Sequence, residues 1–136
     1  MFYVPRHFKI QELVPPHVYQ ERGDRAWELL DPLLLESLDQ IRDAFGPMLC
    51  NTWHNGGSRM YSGLRMPGDP HWSKYSQHSF GRAADLLPIA EITADKIRQY
   101  ILSNPGHFPL ITGVELDVSW LHIDVRNTLG VVTFRP

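Results

Sequence analysis

Apolar and polar residues alternate through the last third of the chain, and this period of two constrains the fold more than any other feature. In residues 120–126 the odd positions are apolar, whereas the even positions include His122 and Asp124. Such alternation is typical of a strand whose two faces meet different surroundings. Similar segments at 113–118 and 131–134 predict an antiparallel sheet with one apolar face and one polar face.

The upstream part of the chain predicts helices that can cover the apolar face of this sheet. Two helices, at 31–45 and 93–103, and two short strands, at 47–53 and 82–87, are predicted there. Asp31 and Thr93 are good N-caps for the two helices, and apolar residues recur at helical spacing behind each of them. We therefore expect a single α+β domain over residues 1–136, with an antiparallel sheet and its helices packed on one face.

Composition and charge limit the classes of function. The net charge of −2 and the lack of a basic run argue against nucleic acid as a partner. No window approaches the roughly 18 apolar residues of a membrane span, and the N-terminus has no apolar segment of the signal-peptide kind. We expect a monomer that is made in the cytoplasm and has no membrane partner. The only cysteine, Cys50, lies in an apolar run and is predicted to be a buried thiol.

Two separate segments carry side chains that bind metals. His78 and Asp85 are seven residues apart, and Gly81 between them permits a tight turn that brings both side chains to one point. His122 can reach the same point from a neighbouring strand. Two imidazoles and one carboxylate form the ligand set of a catalytic zinc site, which keeps a fourth position open for water. We expect one zinc ion here, with Asp124 orienting a ligand histidine.

A hydrolytic site also needs groups that bind substrate and move protons. The irregular segment 54–77 is rich in glycine, proline and aromatic residues, and it predicts a substrate-binding rim. Arg65 and Ser76 are candidates for binding a substrate carboxylate or carbonyl. Gln77 and Trp120 are further candidates for contact with the substrate.

The general base has two candidates. Asp117 and Glu115 both belong to the predicted polar face, just upstream of His122. A carboxylate near the metal could take a proton from the attacking water. The pattern alone does not choose between them.

These residues resemble the M15 family of zinc peptidases over about residues 50–130. The matching elements are Ser62-Gly63-Leu64-Arg65, Ser76-x-His78-x-x-Gly81-x-Ala83-x-Asp85 and Trp120-x-His122-x-Asp124. The family includes D-Ala-D-Ala carboxypeptidases and dipeptidases, as well as phage endolysins that cut L-Ala–D-Glu links; Hedgehog-type signalling domains share its fold. The resemblance implies zinc ligation by His78, Asp85 and His122. It also implies that Arg65 binds or polarises the substrate and that Ser76 lines the site.

The resemblance implies a zinc metallopeptidase that hydrolyses peptidoglycan stem peptides, at D-Ala-D-Ala or L-Ala–D-Glu bonds. A phage or prophage protein of this kind would reach the cell wall on release. Many members place the catalytic acid three residues before the last histidine, where this chain has Ser119. Asp117 is then the first substitute and Glu115 the second. The alternative is a non-catalytic, zinc-stabilised binding or virion-assembly module that kept the ligands and lost the base.

Overall fold

A computed structural model describes residues 3–136; Met1 and Phe2, which belong to the predicted domain, lie outside the described residues. The helices are α1 (Pro16–Arg22), α2 (Pro32–Phe45) and α3 (Ala94–Ser103). The strands are β1 (Met48–Leu49), β2 (Ala83–Pro88), β3 (Gly113–Glu115), β4 (Leu121–Asp124) and β5 (Val132–Phe134). Short 3-10 turns join them at Ile10–Glu12, Gly23–Leu29, Trp53–Asn55, Gln77–Phe80 and Pro105–His107.

The five strands form one sheet in the order β1-β2-β4-β3-β5. The first three neighbouring pairs are antiparallel, but β5 runs parallel to β3. The α+β prediction is confirmed, whereas the prediction of a wholly antiparallel sheet is wrong at this one pair. Both edges of β4 are already occupied by β2 and β3. The short connection 125–131 therefore reverses the chain past β3, and β5 pairs with the free edge of β3.

The helix α2 follows from its local sequence. Asp31 caps its N-terminus, since its Oδ1 accepts a hydrogen bond from the Leu33 amide at 2.9 Å. Pro32 suits the first helical position because it lacks the amide hydrogen that would be unsatisfied there. The helix ends at Gly46, which adopts a φ of 86° that favours glycine. These local signals explain why the sequence predicts this helix well.

The apolar face of the sheet packs against α2 and α3. Leu121 and Ile123 of β4 are fully buried and belong to one cluster with Leu38 of α2 and Ile97 of α3. Thr93 caps α3, as predicted, by accepting a hydrogen bond from the Lys96 amide at 3.2 Å. The helices therefore hold β2 and β4 from one side, which leaves the opposite face for polar groups.

The polar face is defined by the register of β2 and β4. Asp85 stands directly opposite His122 in this antiparallel pair, so the two side chains project from the same face. Asp124 lies two residues beyond His122 and shares that face. All of β4 is buried, and on its polar side the ring of His78, from the segment between β1 and β2, lies 5.1 Å from the ring of His122.

Two further expectations concern single features. Cys50 is fully buried and free, as predicted, and burial raises the pKa of its thiol above the ordinary range. In residues 3–136, no helix combines the length and apolarity that crossing a bilayer requires.

Candidate metal centre

Three side chains from three separate elements converge on the polar face of the sheet. Asp85 Oδ1 lies 2.8 Å from His122 Nδ1 and 3.3 Å from His78 Nε2. One ligand atom from each residue lies within 4.8 Å of the other two, and all three residues are buried. Ligand atoms about 2 Å from a tetrahedral ion are separated by about 3.3 Å. The cluster could therefore hold a metal ion with small adjustments.

A glycine turn brings His78 close to Asp85. Gly81 ends the 3-10 turn Gln77–Phe80 with a φ of 69°, a conformation that residues with a side chain rarely adopt. A Cβ at this position would also collide with the carbonyl oxygen of Leu29. The chain can therefore reverse into β2 only because position 81 has no side chain.

The segment 62–65 fixes the backbones and side chains of two of these ligands. The Ser62 carbonyl accepts a hydrogen bond from the Asp85 amide at 2.8 Å, and the Arg65 amide donates to the His78 carbonyl at 3.1 Å. The Gly63 carbonyl lies 2.8 Å from His78 Nδ1. This segment, Ser62-Gly63-Leu64-Arg65, therefore holds His78 and Asp85 in place.

Each histidine uses one ring nitrogen for support and presents the other to the cluster. His78 Nδ1 pairs with the Gly63 carbonyl, which leaves Nε2 facing Asp85. His122 Nε2 pairs with Asp124 Oδ2 at 2.8 Å, which leaves Nδ1 facing Asp85. Metal-binding histidines almost always carry such an outer partner, which fixes the tautomer. Asp124 therefore lies on the far side of His122 from Asp85, the position from which it could orient this histidine.

Arg65 contacts the carboxylate of Asp85 directly. Its NH2 group lies 3.2 Å from Asp85 Oδ2, and its Nε donates to the Tyr61 carbonyl at 2.7 Å. Arg65 thus neutralises one oxygen of Asp85 and leaves Oδ1 for the cluster. Burial lowers the pKa of the Arg65 guanidinium, and the charges of Asp85 and Glu115 oppose this shift.

Without an ion, the buried charges compensate one another. Burial opposes ionisation of Asp85, but hydrogen bonds from His122 and His78 hold the pKa of its carboxyl group below its usual range. Burial also opposes a charge on His122, yet its bonds to Asp124 and Asp85 raise the pKa of its imidazole to about 9. Burial likewise works against a charge on Asp124, while Arg126 and His122 lower the pKa of that carboxyl group to about 2.

The donor set fits a divalent ion. Two imidazole nitrogens and one carboxylate oxygen suit zinc, and the outer partner of each histidine is already in place. An ion in this position would replace the proton of His122 as the positive charge beside Asp85.

A cavity of about 650 Å³ opens onto the cluster. Its lining includes all four of the predicted substrate-binding residues, Arg65, Ser76, Gln77 and Trp120, and one candidate base, Glu115. The segment 54–77 supplies much of the wall, in keeping with its predicted role as a rim. The hydroxyl of Ser76 is already engaged, since it accepts a hydrogen bond from the His78 amide at 3.3 Å.

Asp117 does not lie in this cavity. The strand β3 ends at Glu115, and Asp117 adopts a φ of 60°, so the alternation that the sequence predicts over 113–118 stops early. Its side chain is 64% exposed and pairs with Arg135 at 2.6 Å. The structure therefore contradicts the prediction that Asp117 stands beside the metal ligands, and it leaves Glu115 as the candidate base.

The structure adds residues to the site that the sequence-based reasoning did not single out. Three of them, Arg59, His71 and Tyr75, lie within the predicted rim segment 54–77, and the other two are Arg126 and Phe134. Arg126 could have been found, because the alternation that selects His122 and Asp124 reaches position 126 next. Phe134 carries no such signal, because its placement depends on the parallel pairing of β5.

No protein-family model, curated protein or solved structure matches this chain. What the chain does must therefore be inferred from the chemistry of its own residues.

Proposed function

We propose that this protein is a zinc-dependent peptidase that hydrolyses peptide bonds in peptidoglycan stem peptides, of the D-Ala-D-Ala or L-Ala–D-Glu type, in a phage or prophage context. One observation carries the proposal. Ligand atoms of His78, Asp85 and His122 meet at the floor of an open cavity that also holds a carboxylate, Glu115, and a guanidinium, Arg65. The choice of substrate follows the motif resemblance.

The ion would supply Lewis acidity, which lowers the pKa of a bound water and polarises a carbonyl. His78, Asp85 and His122 would hold this ion, and Arg65 would keep Asp85 Oδ2 neutralised. Glu115 lines the cavity and lies within electrostatic reach of Arg65. Its carboxylate would accept a proton from the attacking water and deliver that proton to the leaving amine nitrogen.

The cavity suits a peptide as ligand. Arg59 and Arg65 are cationic, Gln77 is a neutral hydrogen-bonding residue, and Tyr75 and Trp120 are aromatic; all five line the same space. Guanidinium groups bind carboxylates in a fixed geometry, and an amide side chain can pair with a peptide unit. A short peptide with a nearby carboxylate therefore matches the lining.

The test is hydrolysis of purified peptidoglycan by the zinc-loaded chain, followed as the release of new amines. Glu115→Gln keeps the size of the side chain and removes the base, so we expect at least about a 100-fold loss of rate with zinc still bound. Asp117→Asn is the matched control and should keep the rate within about twofold, because Asp117 pairs with Arg135 and does not line the cavity. Equal rates for Glu115→Gln and the unaltered chain would refute this assignment.

A second candidate function is a zinc-stabilised binding or assembly module without catalysis. Its support is that the family's usual acid position holds Ser119 and that Asp117 pairs with Arg135 and does not line the cavity. This candidate predicts one zinc per chain, a stability that depends on zinc, and no new amines from peptidoglycan. The same assay therefore separates the two functions.

A further inference from the structure

A chain of polar contacts extends the metal centre toward the end of β4. Arg126 grips Asp124 with two parallel hydrogen bonds, from Nε to Oδ1 at 2.8 Å and from NH2 to Oδ2 at 2.6 Å. Its backbone amide donates to Oδ1 at 3.3 Å. Asp124 is fully buried, and its Oδ2 also pairs with His122 Nε2. Arg126, Asp124 and His122 thus form one connected series that ends at the metal ligand.

Two further residues fix the geometry of this series. The guanidinium of Arg126 lies 4.6 Å from the ring centroid of Phe134 on β5, and the same ring meets the imidazole of His122 edge-on at 5.2 Å. Gly113 on β3 stands opposite Asp124, where a Cβ would collide with both carboxylate oxygens. The carboxylate therefore occupies a space left open by glycine and is closed in by Arg126.

We propose that Arg126, held against Phe134, is a positioning residue that fixes Asp124 and, through it, the ring orientation and tautomer of His122. A free imidazole can carry its proton on either nitrogen, and only the tautomer with the proton on Nε2 presents Nδ1 to an ion. The bidentate grip of Arg126 keeps Asp124 Oδ2 in place to accept that proton. This inference rests on the metal centre of the proposed function, but not on hydrolysis.

The first test is the zinc affinity of purified full-length variants, measured by competition with a chromophoric chelator. Loss of an outer partner typically weakens metal binding by about 10- to 100-fold, and we expect Arg126→Gln to fall in that range. Arg126→Lys keeps the charge but cannot form both parallel hydrogen bonds, so it should weaken binding by about two- to tenfold, which is less than the loss in Arg126→Gln. Arg135→Gln is the control, because Arg135 pairs with Asp117 outside the cavity, and its affinity should be unchanged.

The second test asks whether Arg126 acts through Asp124. If it does, the Asp124→Asn and Arg126→Gln double variant binds zinc no more weakly than Asp124→Asn alone. Nitrogen-15 NMR of the zinc-loaded chain should show a protected proton on His122 Nε2, and that protection should be lost in Arg126→Gln. If circular dichroism shows that Arg126→Gln does not fold, the zinc affinity and the Nε2 proton are measured on Arg126→Lys instead.

Unchanged zinc affinity and a retained Nε2 proton in the Arg126 variants would overturn the inference, as would fully additive losses in the double variant. The outcomes are independent of the proposed function. A chain that binds zinc through this series but releases no amines from peptidoglycan keeps the inference and rejects the peptidase. If the unaltered chain hydrolyses peptidoglycan and Arg126→Gln binds zinc as tightly as the unaltered chain does, the peptidase is kept and the inference is rejected.

Discussion

Raising the pH from 7 to 9 should tighten zinc binding by about 50-fold, because His122 must lose a proton before its Nδ1 can bind an ion. In the metal-free chain the contacts with Asp124 and Asp85 raise the pKa of His122 to about 9, against the effect of burial. A pH of 7 is about two units below this pKa, so the imidazole is protonated at pH 7. Removing that proton at pH 7 costs about 2.7 kcal/mol. The apparent affinity should therefore rise by about ninefold between pH 7 and 8 and by about fivefold between pH 8 and 9.

The sign of this effect follows from which form of each group binds the ion. The neutral form of His122 is the ligand, and it becomes more populated as the pH rises toward about 9, so affinity increases with pH and then levels off. Asp85 adds nothing to the change, since its pKa is held below the ordinary range and it is already ionised throughout the interval.

The assay is a zinc titration against a chromophoric chelator at pH 7, 8 and 9, corrected for the chelator's own protonation. A proton and nitrogen-15 NMR titration of the metal-free chain assigns the effect to His122. His107→Gln is a matched control, because His107 contacts Tyr100 and lines a different cavity from that of the cluster, and it should leave the pH dependence unaltered. If His122 titrates near 6.5 and the affinity changes by less than about tenfold between pH 7 and 9, the reasoning is refuted.

Three further substitutions test the scaffold. Gly81→Ala should lower the free energy of unfolding, measured by urea denaturation, by about 1–3 kcal/mol and abolish zinc binding. The reason is that alanine at this position combines a positive φ with a collision at the Leu29 carbonyl. A variant with unchanged stability that still binds zinc would contradict this. Gly113→Ala should weaken zinc binding by at least about tenfold, since the added Cβ displaces the Asp124 carboxylate; unchanged affinity would show that the carboxylate is not needed there. Leu38→Ala should lower the free energy of unfolding by about 2–5 kcal/mol, because Leu38 is fully buried, and a loss below about 1 kcal/mol would mean that the core adjusts around it.

The features that sequence predicts well here are those encoded locally. The helix α2 carries its own N-cap in Asp31 and its own stop at Gly46, so its bounds need no knowledge of the rest of the fold. The metal cluster is predictable for a related reason. Six residues, one of them Gly81, separate His78 from Asp85, and a simple period of two places His122 on the right face of its strand.

The features that sequence missed depend on where strands end and which strands pair. The alternation expected of a strand placed Asp117 on the polar face. However, β3 ends at Glu115, and the chain turns at Asp117 with a φ of 60°. Aspartate tolerates that conformation better than most residues do, and nothing in the local pattern marks the turn. Phe134 reaches His122 only because β5 crosses to the far edge of β3, a pairing between distant segments that local patterns do not encode.

The central claim is that three side chains bind one ion, and diffraction tests it most directly. Crystals grown with zinc and measured at the zinc absorption edge should show an anomalous peak about 2.0–2.2 Å from His78 Nε2, Asp85 Oδ1 and His122 Nδ1. A peak only at another histidine–aspartate pair, such as His17 and Asp69, or no peak at all, would contradict the account.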